Sequence, residues 1–259
     1  MNVVFTADFK NIWVLSLSSA LAGSVIPLMV LVGSLVGAEL APTVTWATAP
    51  IALVILGTAL AVIPVSSCMQ ALGRKRALWL FMSLGIVSCG LAMIALQLQS
   101  FTLFCITSLL LGTTNTALLQ TRFAAMESVT IEHSATAASM VMGGGIIAAF
   151  VGPELAVMGA QLTDVSYQGS FLLAAACIAL AASILSLFKS PPITAPVTQK
   201  TSTSTATLLR NPSFCLAIAS GITAYVVMSF VMTGTPISMH HFHGHSLMDT
   251  KWVIQSHIA

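Results

Sequence analysis

Of 259 residues, 57% are hydrophobic and 6% are charged, against roughly 45–50% and about 25% in soluble domains. Nine Lys and Arg balance seven Asp and Glu to a net charge of +2, which excludes both a water-solvated globule and a clustered basic face for nucleic acid. The partner selected by this composition is a lipid bilayer.

The chain opens MNVVFTADFK ahead of its first apolar run. That run is far longer than the 7–15 residue core of a signal peptide, so it is read as a retained helix. About 20 mostly apolar residues are needed to cross a hydrocarbon core of about 30 Å. Seven segments meet this: Asn11–Gly37, Trp46–Met69, Ala77–Leu96, Phe101–Phe123, Ala135–Ala160, Gln168–Phe188 and Pro212–Met239. Unbroken apolar runs of this length lack the alternation of barrel strands, and open strands would leave backbone groups unpaired in lipid. The expected fold class is an all-α membrane protein.

Short loops on the cytoplasmic side collect Lys and Arg. With the N-terminus inside, Lys10, Arg74, Lys75, Arg76, Arg122, Lys189, Lys200 and Arg210 all fall there, leaving Lys251 outside. The expected orientation is therefore a cytoplasmic N-terminus.

Three blocks are expected: a six-helix block over 1–188, a cytoplasmic linker over 189–211 and the start of a second block over 212–259. The linker, KSPPITAPVTQKTSTSTATLLRN, is rich in Pro, Ser and Thr and has no apolar periodicity. Beyond the seventh span, HHFHGHSLMD (His240 to Asp249) reads as an outside loop, and KWVIQSHIA as the opening of an eighth helix, incomplete here. His240, His241, His243 and His245 have no helical i, i+4 pair beyond His241 with His245 and no nearby Cys. They are therefore read as a solvated, pH-sensitive loop rather than a metal site. Cys68, Cys89, Cys105, Cys177 and Cys215 stand singly in apolar stretches and suggest neither a disulfide framework nor a metal site. No cofactor is implied.

Six helices, a linker and a seventh helix resemble the major facilitator superfamily, whose members have two six-helix halves. The loop PVSSCMQALGRKRALW, from Pro64 to Trp79, is similar to the superfamily's signature between helices two and three. Gly73, Arg74 and Lys75 match its final Gly-Arg-Arg/Lys, with Arg76 following, whereas its first Gly, its Asp and its Arg fall on Ser66, Gln70 and Ala71. The resemblance implies a gating loop at Gly73, Arg74, Lys75 and Arg76. In helix five, GGGIIAAFVGPELA is similar to the Gly-Pro stretch of superfamily drug antiporters, matching well at Gly152-Pro153, the expected helix bend. The Arg of proton-coupled antiporters in helix four is replaced by Ser108.

An ionisable group at mid-bilayer costs about 2.5–3.5 kcal/mol or more unless paired or watered. Glu154 lies roughly 28 Å along helix five at 1.5 Å per residue, so it is either an interfacial anchor or a carboxylate that takes up a proton or faces a cationic substrate. Helix four carries Thr113, Thr114, Asn115, Gln120, Thr121 and Arg122, which cannot share one narrow face. Asn115 is nearest mid-span and must face the interior, bonding a neighbour or lining a cavity. Arg122 with Glu127 reads as interfacial anchoring with a gate role. Glu154, Asn115, Gln120 and Arg122 are the transport or coupling candidates. Gly33 with Gly37, and Gly143, Gly144 and Gly145 with Ala149, are expected to allow close helix approach.

No Ser/His/Asp set, paired-Asp motif or HExxH occurs, so the reading is not an enzyme. The resemblance implies a secondary active transporter that moves a small solute, with proton as an expected coupling ion, in a multi-pass orientation in a bacterial inner membrane. A non-transporting membrane fragment or a seven-helix receptor or scaffold is the alternative.

Overall fold

The computed structural model describes residues 7–189, 207 and 209–258. Its α-helices are α1 (Ala7–Gly23), α2 (Val25–Leu40), α3 (Ala49–Leu72), α4 (Arg74–Gln97), α5 (Phe101–Leu119), α6 (Thr121–Met126), α7 (Ser134–Gly159), α8 (Gln168–Leu185), α9 (Pro212–Pro236) and α10 (Leu247–Ile258). Among the described residues seven helical segments are long and apolar enough to span a membrane: Lys10–Leu40, Val44–Leu72, Arg74–Gln97, Phe101–Met126, Ile131–Gly159, Gln168–Leu185 and Pro212–Phe242. This is an all-α membrane protein.

The break in the first span has a local cause. Pro27 has no N–H to give the Gly23 carbonyl. The first span accordingly breaks at Ser24, whose hydroxyl donates to the Leu21 carbonyl at 2.6 Å. The fourth span breaks at Gln120, which separates α5 from α6. In the seventh, the α-helix ends at Pro236 and the chain runs on as a π-helix over Ile237–Phe242. Wide turns of this kind are rare and often mark functional positions. His240 and His241 thus belong to the end of the span, which corrects the expectation of a loop starting at His240. The eighth helix begins at Leu247, four residues before the expected Lys251, because Ser246 caps it. The Asp249 N–H donates to Ser246 Oγ at 3.1 Å, and the Ser246 N–H to Asp249 Oδ2 at 3.3 Å.

Helices α1 to α8 close as a ring in which α3 packs on α5, α5 on α4, α4 on α8, α8 on α1, α1 on α7, α7 on α2 and α2 on α3. The first span is the most enclosed, with 72% of its apolar window buried. Apolar side chains gain little from burial when lipid is the alternative, so close backbone approach and interhelical hydrogen bonds must hold the block together. A Cβ on Gly57 would lie 2.1 Å from the Leu109 carbonyl oxygen and one on Gly112 would lie 2.2 Å from that of Val54, so α3 and α5 touch backbone to backbone. Ser16 Oγ donates to Met140 O at 3.0 Å, Ser18 Oγ to Ala181 O at 3.1 Å and Ser170 Oγ to Ala156 O at 2.8 Å, linking α1 to α7 and α8, and α8 to α7. Phe104 meets Phe171 edge to face at 5.8 Å between α5 and α8.

Of the glycine triplet, only Gly144 packs. A Cβ there would meet the Ser16 carbonyl at 2.8 Å, whereas Gly143 and Gly145 have nothing within 4 Å. The packing stripe is Gly144, Ala148 and Gly152, spaced four apart so that it stays on one face, and Gly152 would press on Ser24 O at 2.3 Å. Gly37 abuts the Ala47 carbonyl in the connection to α3, while Gly33 meets Met29 of its own helix and Ile51. None of the apolar window of the seventh span is buried. Among its neighbours, α9 packs on α2 and α10, and α10 lies chiefly against α7. The expected linker 189–211 falls largely outside the described residues.

Candidate functional site

A cavity of about 280 Å³ lies between the first block and α9, lined by Ile26, Pro27, Met29 and Val30 of α2, Val54, Ile55 and Thr58 of α3, and Asn115 of α5. Tyr225, Met228, Ser229, Met232 and Thr233 of α9 and His257 of α10 face them. Pro27, Thr58, Asn115 and Ser229 each fall near the middle of their spans, so the cavity sits at mid-bilayer depth. Its wall is apolar with a few hydroxyl, amide and imidazole groups and carries no carboxylate or Lys/Arg among the described residues.

Asn115 is the one candidate that faces this cavity. Its amide Nδ2 donates to Thr58 Oγ1 at 3.3 Å, and Thr58 Oγ1 in turn donates to Val54 O at 2.9 Å. The remaining polar groups of helix four divide between neighbours, as their spacing requires. Thr116 donates to Thr58 O of α3 at 2.7 Å, Thr114 to Phe81 O of α4 at 3.1 Å and Thr121 to Ser19 Oγ of α1 at 3.3 Å. Gln120 is half-buried at the α5–α6 break, away from the cavity lining.

Glu127, grouped with Arg122 in the sequence as an interfacial cluster, is held by Arg74, through Nη2 to Oε1 at 2.5 Å and Nε to Oε2 at 3.0 Å. The guanidinium and carboxylate are fork to fork, a geometry Lys could not reproduce. Arg74 also reaches Met69 Sδ at 3.3 Å. Arg122 instead lies over the Phe123 ring at 4.9 Å, with its Nε buried and unpartnered. Lys75 donates to Ser186 O at 2.6 Å, tying α4 to the end of α8. Gly73 stands at φ 80°, a left-handed value that turns the chain from α3 into α4. Arg76 is exposed beside it.

At the opposite end, Glu154 is paired. Its Oε1 accepts from Lys251 Nζ at 2.7 Å. Sequence reasoning read Lys251 as the lone outside cation, at the opening of an eighth helix; on α10 its side chain is 4% exposed and paired with Glu154. α7 stays helical through Gly152 and Pro153, both buried. Glu39 was missed because the first span was ended at Gly37, whereas α2 continues to Leu40. The Tyr167 side chain, buried in the connection between α7 and α8, is pushed up to about 12 by burial, with the Glu39 charge adding to it. Tyr225, Met228, Met232 and His257 were also missed. Their positions facing the gap are set by how α9 and α10 pack on α2 and α7, which periodicity within a helix does not reveal.

No family model matches the sequence, but curated proteins do. It is 34% identical over 256 residues to the riboflavin transporter RfnT of Brucella anthropi, covering 98% of this chain and 64% of that protein. It is 30% identical over 266 residues to the uncharacterized MFS-type transporter YdeG of Bacillus subtilis and 28% identical over 272 residues to YddS of the same organism, each covering 96% of this chain and 61% of the relative. The chain belongs to the major facilitator superfamily. It spans about three-fifths of the length of these superfamily relatives, from 61% to 64%. Arg74, paired with Glu127, is the middle residue of the Gly73-Arg74-Lys75 triplet of the superfamily signature. Arg74 thus engages a carboxylate from the α6 end, although the signature's own acidic position is Gln70.

Proposed function

We propose that this chain works in a secondary active transporter that carries a small solute across a bacterial cell membrane by alternating access. The observation that supports this best is the mid-depth cavity, with walls from α2, α3 and α5 on one side and α9 and α10 on the other. A site shared between two blocks can be exposed to either face by rocking one against the other. In this reading residues 1–188 form one block, 189–211 a cytoplasmic linker and 212–259 part of the second, with the N-terminus in the cytoplasm.

The solute is a flavin-like molecule. Similarity to RfnT, a riboflavin transporter, supports this, as does a lining that offers Tyr225 and three methionines to a flat ring and Asn115, Ser229 and Thr233 to its polar edge. Thioethers and aromatic faces suit planar conjugated systems. Arg74 and Glu127 serve as a gate contact at one end. Glu154 is the coupling carboxylate, with proton as the coupled ion.

Reconstitution in vesicles with radiolabelled riboflavin tests the reading, with and without an imposed proton gradient. Uptake that needs the gradient and falls at least about tenfold in Asn115→Leu, about 1.4 kcal/mol of lost binding or barrier stabilisation, is the expected result. Uptake unaffected by Asn115→Leu would overturn the assigned site.

A further inference from the structure

α7 and α10 are joined by two rungs. Lys251 Nζ meets Glu154 Oε1 at 2.7 Å, and Gln255 Nε2 donates to Phe150 O at 3.0 Å. Residues 150 and 154 are four apart on α7, as are 251 and 255 on α10, so each pair lies on one helical face and the rungs stack with the helices antiparallel. Pro153 gives no N–H to the turn before it and crowds that turn's carbonyls. The carbonyl left without that donor is Ala149's, and Gln255 adds an outside donor to the neighbouring Phe150 carbonyl.

Burial at the first rung is unequal. The Glu154 side chain, near the end of its span, is 45% exposed, whereas the Lys251 side chain is 4% exposed and enclosed by protein. A desolvated ammonium is tolerated only while paired, so the pair parts only if α10 moves away from α7 and lets water in. The second rung opposes a permanently shut state. Gln255 is 1% exposed and its Oε1 has no hydrogen-bond partner, a cost that opening would relieve. His257, two residues beyond Gln255, lines the cavity, so displacing α10 displaces the cavity wall.

We propose that Lys251–Glu154 and Gln255–Phe150 form a latch that closes the Glu154 end of the cleft between the first block and α10, and that it must part for the cavity to open toward that end. This rests on the alternating-access reading but not on any particular solute.

The test measures access rather than transport. In the full chain with its natural cysteines replaced, Ser229→Cys reports the cavity wall to a membrane-impermeant maleimide applied from the Gly244 side of sealed vesicles. Lys251→Met and Glu154→Lys should each raise the labelling rate roughly tenfold, the scale of a single population shift of about 1.4 kcal/mol. The exchange Glu154→Lys with Lys251→Glu should return the rate close to that of the parent. A Glu154→Cys, Lys251→Cys pair, bridged by a short bis-thiosulfonate cross-linker that spans the length of the lost Lys and Glu side chains, should slow labelling below the parent, and reductant should restore it. That cysteine pair tests the latch independently should Lys251→Met fail to insert. Labelling unchanged by Lys251→Met, or by bridging of the cysteine pair, would overturn the latch. Loss of riboflavin uptake with these responses intact would overturn the flavin reading alone.

Discussion

Arg74 at the start of α4 and Glu127 just after α6 stand 53 residues apart in sequence and are joined by two hydrogen bonds, at 2.5 and 3.0 Å. Their side chains are 23% and 48% exposed, so the pair contributes only about 0.2–1 kcal/mol to stability. Its loss should therefore register in function before it registers in folding. Arg74→Gln and Glu127→Gln are each expected to insert normally and slow uptake several-fold. Normal uptake by both variants at matched protein levels would reduce Arg74 to a topological charge.

The backbone contact between α3 and α5 makes a sharper stability prediction. Gly57→Ala places a methyl about 2.1 Å from the Leu109 carbonyl oxygen, where only helix separation can relieve it. Overpacking of this kind costs about 1–3 kcal/mol or more. Gly90→Ala, with nothing within 4 Å, should cost nothing measurable. Chemical unfolding of both variants in detergent would show the contrast.

Tyr167 links one loop to alkaline stability. Its hydroxyl is pushed up to about 12 from 10.0 by burial and then by the Glu39 charge. The folded state therefore holds this proton more tightly than the unfolded state does. The associated stability is full below pH 10 and is lost as pH rises from 10 toward 12, by up to about 2–3 kcal/mol. Tyr167→Phe should remove that part of the alkaline decline while leaving stability at neutral pH nearly unchanged. An identical decline in both proteins would mean that the hydroxyl is not protected.

Orientation can be read by labelling in intact cells. Glu132→Cys, exposed in the turn before α7, and Gly244→Cys, exposed in the turn before α10, should differ, with only the second modified by an impermeant maleimide from outside. The reverse pattern would invert the topology inferred from the Lys and Arg distribution.

Span number and helical character were legible in the sequence because a bilayer requires every backbone group to be paired within the segment, and long apolar runs record that requirement directly. The superfamily was legible from Gly73, Arg74 and Lys75 and from the order of the spans. Asn115 was legible too, since an amide at mid-span cannot face lipid. Which charges pair with which was not. Arg122 is closer to Glu127 in sequence than Arg74 is, and Lys251 reads as a lone outside cation until α10 is laid against α7. Pairing across helices depends on their rotation and depth, which apolar periodicity leaves free when every face of a span is apolar. The cavity has the same origin: Thr58, Asn115, Tyr225 and Ser229 are ordinary polar residues in separate stretches of the chain, and only the packing of α9 on α2 brings them around one space. Composition alone therefore determined that this protein lives in a membrane as helices, while the tertiary structure decided where its few polar groups meet, because in lipid those meetings are set by close packing and hydrogen bonding rather than by hydrophobicity.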